Sequence, residues 1–196
     1  HGRFAVMEQT IAPMRIEKQI LEEEWLRFPD WEHGGGYGPA AEALAERERM
    51  EWNAADRIIC GSEFVREGIR QCGGPAHKTV VVPYASAIEP ERRMERKAVR
   101  SPLRVLFVGT VSLRKGVPYL LDAARRMKGR AEFRMVGPLA VRESVEREVR
   151  GLADARGSVP RSALAEHFEW ADVFVLPSLC EGSALACCEA LAAGLP

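Results

Sequence analysis

The sequence predicts an α/β protein built on parallel sheets. Short apolar runs that end in glycine or proline alternate with segments of helical spacing. The clearest runs, residues 103–108 and 173–176, are nearly continuous in apolar side chains, as strands covered on both faces are. Strand, helix and strand at this spacing give β-α-β units with right-handed crossovers.

The elements follow in order. Residues 4–9 form a short strand, and Ile16, Ile20, Leu21 and Trp25 then define one face of a first helix. Residues 28–38, with three consecutive glycines, read as a loop, and a mobile one. A second helix runs over 39–54 and a strand over 56–60. Ser62 is placed to cap a helix reaching 71, with Glu63 in its first turn. A strand over 78–82 follows. Between 85 and 102 the pattern lapses. Pro90, Pro102 and the cations Arg92, Arg93, Arg96, Lys97, Arg100 and Arg104 read as a linker, here placed at 88–102 between domains 1–87 and 103–196. That basic cluster could touch an anionic acceptor or a lipid surface, but a solvated linker face is the simpler reading.

Beyond the linker the expected elements are a strand at 103–108, a helix at 118–127, a strand at 132–136 and helices at 141–152 and 163–170. A fully buried strand at 173–176 and a helix from about 183 to 193 follow, with Gly194 as its terminal cap.

Composition bounds the function. The 196 residues carry no formal net charge, 46% are hydrophobic and 29% charged, so no global pull toward nucleic acid follows. No apolar run approaches the ~20 residues of a membrane span. The five cysteines, Cys60, Cys72, Cys180, Cys187 and Cys188, have neither C-x-x-C spacing nor a nearby histidine, which argues against a metal site and for buried thiols in a reducing cytoplasm.

In open parallel sheets ligands bind at the carboxyl ends of strands. Three loops leave such ends here, at 109–116, 137–139 and 178–183, and are expected to open on one crevice. The first carries Arg114 and Lys115 between Gly109 and Gly116, a pattern suited to an anion approached closely by backbone. By itself this is a weak signal, and a solvated helix start is the simpler reading. The third leads into a helix whose amides would receive a diphosphate. Glu181 lies just before that helix and Glu189 eight residues later; carboxylates suit sugar diols. The helix is apolar nearly all round, so it should be buried, and a buried Glu189 needs a partner, for which a ligand is the natural candidate.

The stretch PSLCEGSALACCEALAAGLP (177–196) resembles the donor-site signature of the retaining GT-B glycosyltransferases of the family 4 type, glycosyl transferases group 1. LRVLFVGTVSLRKGVPYLLDAARRM resembles the opening of their C-terminal domain, and ADRIICGSEFVREGI with KTVVVPYASAI the end of their N-terminal domain. The resemblance implies two Rossmann-like domains, each incomplete: residues 1–87 from the acceptor side and 103–196 from the nucleotide-sugar side, truncated at both ends and inactive as a fragment. It implies transfer from a UDP- or GDP-sugar to a saccharide, lipid or small-molecule acceptor, with retention and without metal or cofactor.

Residue by residue, the resemblance puts Lys115 with Arg114 on the diphosphate and Glu181 on the transferred sugar. Amides of Gly182, Ser183, Ala184 and Leu185 meet the diphosphate or sugar, Glu189 meets the ribose, and the turn around Val159 meets the base. Such enzymes are cytoplasmic, some with peripheral membrane contact. Thr110 stands where many members have arginine, and Ser183 and Ala184 replace the usual aromatic and glycine. A nucleotide-sugar 2-epimerase on the same fold, and a non-catalytic nucleotide-binding domain, are the alternatives.

Overall fold

The computed structural model describes residues 3–34, 37–85 and 101–196; most of the expected linker lies outside the described residues. The chain falls into two compact units that interleave in sequence. The first comprises residues 1–29, 34–84 and 180–184, the second 30–33, 85–179 and 185–196.

The first unit holds a parallel sheet of β1 (Val6–Gln9), β2 (Arg57–Cys60) and β3 (Thr79–Val81), ordered as in the chain. Its helices are α1 (Met14–Arg27), α2 (Pro39–Ala54) and α3 (Glu63–Gln71). Pro39 opens α2, where a missing N–H costs nothing, and the Ser62 hydroxyl accepts from the Val65 amide at 3.4 Å to cap α3. Trp52, Ile58, Val65 and Ile69 form the core. A buried polar network closes one end. The Gln9 amide donates to Glu48 at 3.0 Å, the Trp52 indole donates to Gln9 at 2.9 Å, and Glu48 accepts the Met14 amide at the start of α1 at 2.9 Å.

The second unit holds four parallel strands in the order β6-β5-β4-β7: β4 (Leu103–Val108), β5 (Ala131–Val136), β6 (Asp154–Gly157) and β7 (Val173–Phe174). The period-2 pleat divides β4 and β5 between two cores. Val105, Phe107, Phe133 and Met135 pack under α4 (Val117–Arg126) and α5 (Glu143–Leu152). Leu106 and Val136 face α6 (Leu164–Trp170) and α7 (Leu185–Ala192) on the opposite side.

One strand was not expected, and three expectations need correction. Strand β6 has no β-branched or aromatic residue, and its pairing comes from the backbone of β5 (Arg134↔Asp154, Met135↔Ala155) rather than from side-chain pattern. Strand β7 is two residues long and half-buried instead of a fully buried run over 173–176. It is the last strand on its side of the described sheet, and the Phe174 amide donates to the Pro196 carbonyl at 3.0 Å. Helix α7 starts at Leu185, not Ser183, because the Ser183 side chain is engaged outside it. That helix is also not buried all round: Glu189 and Ala190 are buried, whereas Leu191 is 69% exposed.

No disulfide is assigned to any of the five cysteines, and Cys60 and Cys180 are buried. Among the described residues no helix is long and apolar enough to cross a membrane.

Candidate functional site

Because β4, β5, β6 and β7 are parallel, their carboxyl ends share one edge of the second sheet. The loops leaving that edge are knit backbone to backbone. The Gly109 amide donates to the Val136 carbonyl and the Gly137 amide to the Gly157 carbonyl, both at 2.8 Å. Val111 donates to the Pro138 carbonyl at 2.9 Å and accepts from the Ala140 amide at 3.0 Å. The Leu179 amide reaches the Arg114 carbonyl at 2.9 Å, joining the loop after β7 to the cation-bearing loop after β4.

Two glycines make this contact possible. Gly116 has φ +66, and a Cβ there would stand 1.9 Å from the Pro177 carbonyl oxygen. A Cβ on Gly137 would stand 2.0 Å from the Gly109 carbonyl oxygen. Gly109 itself is less constrained, since a Cβ there would meet Phe107 at an ordinary 3.5 Å and Lys115 Cε at 3.8 Å. Arg114 and Lys115 are half-buried on the interlocked loop, and Val159 packs at the margin of the core that contains Phe168 and Ala190.

Glu189, in α7, is 7% exposed. Its partner in this structure is a protein group. The Arg161 guanidinium donates to Glu189 Oε1 at 2.6 Å, from a turn just past Val159 and Pro160. Sequence reasoning missed Arg161. A buried carboxylate signals that a cation or ligand must face it, but nothing in a 28-residue separation says which arginine does.

The segment 180–184 packs within the first unit. A Cβ on Gly182 would stand 1.7 Å from the Thr10 carbonyl oxygen, just past β1. The Ser183 hydroxyl accepts from the Tyr84 amide at 3.1 Å, beyond β3, and a Cβ placed on Gly61, just past β2, would lie 3.0 Å from the Ser183 Cβ. Thus Gly182 and Ser183 meet residues that follow all three strands of the first sheet. Glu181 and Ala184 are half-buried in this segment, and Leu185 is 42% exposed. Within the second unit the fold brings together Gly109, Arg114, Lys115 and the loops after β5 and β6, and it places Glu189 beside Arg161.

Residues 102–196 match the family model described as glycosyl transferases group 1. Among curated proteins the chain is similar to a D-inositol 3-phosphate glycosyltransferase of Geodermatophilus obscurus, at 30% identity across 79% of this chain and 38% of the relative. It is also similar to the amylovoran biosynthesis glycosyltransferase AmsK of Erwinia amylovora, at 30% identity across 63% of this chain and 34% of the relative. The chain therefore spans less than half the length of these relatives.

Among solved structures, Anabaena HepE in complex with UDP and glucose superposes with a TM-score of 0.64 at 16% identity, covering 79% of this chain and 47% of that one. The lipopolysaccharide outer core galactosyltransferase WaaB in its apo form gives 0.56 at 23% identity, covering 81% and 44%. These likenesses establish the fold: α/β, with parallel Rossmann-like sheets of the GT-B type.

Proposed function

With residues 102–196 matching the family model described as glycosyl transferases group 1, we propose that the protein transfers a sugar from a nucleoside-diphosphate sugar to an acceptor hydroxyl with retention of configuration. The observation that carries this reading is the interlocked carboxyl edge of the second sheet. Four loops tied by backbone bonds carry Arg114 and Lys115.

In the proposed mechanism Lys115, with Arg114, neutralises the diphosphate in the ground state. Both strengthen their hold as the anomeric bond breaks and charge gathers on the leaving oxygens. Amides at the start of α7 add partial positive charge. Glu189 takes the ribose hydroxyls, exchanging its Arg161 partner for the diol. Backbone near Val159 borders the base, and the motif adds Glu181 for the hydroxyls of the transferred sugar. Cations and helix amides then do the work that a divalent metal does elsewhere, so a chelator is expected to leave turnover unchanged. UDP- and GDP-sugars are the proposed donors; a saccharide, lipid or small molecule is the acceptor class.

The test uses the full-length protein with a panel of UDP- and GDP-sugars, reading binding and donor hydrolysis, with NMR of the products to separate transfer from epimerisation. Lys115→Ala and Glu189→Ala should each weaken donor binding by about tenfold or more, on the order of a lost charge-assisted contact. Wild-type affinity in both variants would remove the site assignment.

A further inference from the structure

The glycine-rich loop that precedes α2 has no part in the motifs, yet the structure ties its residues 30–33 into the second unit. The Glu32 carboxylate accepts the Leu113 amide at 2.6 Å. Leu113 is fully buried and lies two residues before Lys115, so this bond fixes the backbone from which the cations project. Glu32 is itself held: its carbonyl accepts from Arg142 Nε at 3.0 Å, and the Trp31 carbonyl accepts the Arg142 amide at 2.8 Å. The Trp31 ring packs against the core beneath α4 and α5. The acceptor is thus delivered by a side chain anchored on both sides, at the N-terminal end of α5.

We propose that Glu32 is a positioning residue for the donor diphosphate, setting the loop that presents Arg114 and Lys115. The proposal rests on the reading of that loop as the diphosphate site. The physical ground is that a buried amide needs an acceptor, and a carboxylate gives a stronger and shorter bond than a neutral oxygen. Without it the loop can settle differently, and the cations move with it. A displacement of about 1 Å between a ligand and its clamp can cost up to about a hundredfold.

The experiment titrates the full-length protein with UDP, GDP and the corresponding monophosphates by calorimetry. The variants are Glu32→Ala, Glu32→Gln, Lys115→Ala and the double variant Glu32→Ala/Lys115→Ala. Glu32→Ala is expected to weaken the diphosphate by about tenfold, well inside the ceiling for misplacement, and the monophosphate by much less. Glu32→Gln keeps an oxygen acceptor and should recover most of the loss. In the Lys115→Ala background the effect of Glu32→Ala should be smaller than in the wild type, because the part that acts through Lys115 is already lost and only the part through Arg114 remains.

Wild-type UDP and GDP affinity in Glu32→Ala, with weakened binding in Lys115→Ala, would overturn the inference and leave the donor site standing. Equal losses for diphosphate and monophosphate would also overturn it, since they mark a general structural effect. Undiminished binding in Lys115→Ala would instead remove the donor-site reading itself. Should Glu32→Ala not fold, Arg142→Ala releases the Glu32 carbonyl and is judged by the same outcomes.

Discussion

Replacing Gly116 by alanine tests whether the carboxyl edge of the second sheet is as tightly interlocked as its backbone bonds indicate. Gly116 sits at φ +66, where an L side chain pays about 1–2 kcal/mol. Its new Cβ would lie 1.9 Å from the Pro177 carbonyl oxygen and 2.8 Å from the Pro177 carbonyl carbon. Neither is the yielding end of a side chain, so two backbone segments must part, an overpacking cost of about 1–3 kcal/mol. The sum is about 2–5 kcal/mol. At roughly 2–4 °C per kcal/mol for a chain of this size, the melting temperature should fall by about 4–20 °C. Gly151→Ala is the control. It lies in α5 with nothing within 4 Å of an added methyl group, and alanine there should raise stability by about 0.4–1 kcal/mol. Thermal melts of both variants by circular dichroism decide the matter. A Gly116→Ala protein that melts with the wild type would show that the loops part freely, and Arg114 and Lys115 would then have no rigid frame beneath them.

Glu48→Ala should lower stability by about 2–4 kcal/mol, because it strips acceptors from the buried Gln9 amide and from the Met14 amide that opens α1. A urea midpoint shifted at constant slope would confirm it; an unshifted midpoint would not. His167 supplies a pH dependence. Burial first, then the nearby Arg134 guanidinium, hold its imidazole below the ordinary value. The unfolded chain therefore takes up the proton before the folded one. The two states are alike above about pH 6.5, and stability is lost as pH falls below it toward the folded-state value. His167→Gln should accordingly shrink the drop in melting temperature between about pH 7.5 and 5.5, and an identical drop in both proteins would refute the assignment.

Much of this was legible in the sequence because local chemistry determines it. Ser62 caps α3 as its side chain and position require, and Pro39 opens α2. The alternation of β4 and β5 between two cores follows from the pleat. What was not legible depends on partners remote in the chain. Strand β6 exists because β5 offers it a backbone ladder, which no side chain in Asp154–Gly157 announces. That Glu189 is buried could be read from its helix, but Arg161 as its partner could not. The glycine-rich composition of residues 28–38 suggested a slack loop. The docking of Trp31 and Glu32 within it shows that this part is firmly tied.

The glycines at the strand ends change meaning in this light. Val108 pairs with Val136, and Val136 with Gly157, so adjacent strands leave the sheet at the same level. Their loops begin side by side, and a Cβ on Gly137 would stand 2.0 Å from the Gly109 carbonyl oxygen. A glycine is needed there whether or not anything binds. The same holds for Gly116 against Pro177. Glycine at these positions is therefore a packing requirement of a parallel sheet whose loops cross, and a weak pointer to a ligand. The chemical specificity has to come from the side chains that the frame carries: the paired cations Arg114 and Lys115, and the buried carboxylate of Glu189. It follows that glycine substitutions should cost stability and donor affinity together, whereas Lys115→Ala should cost affinity alone, a separation that melting and calorimetry on the same samples would read directly.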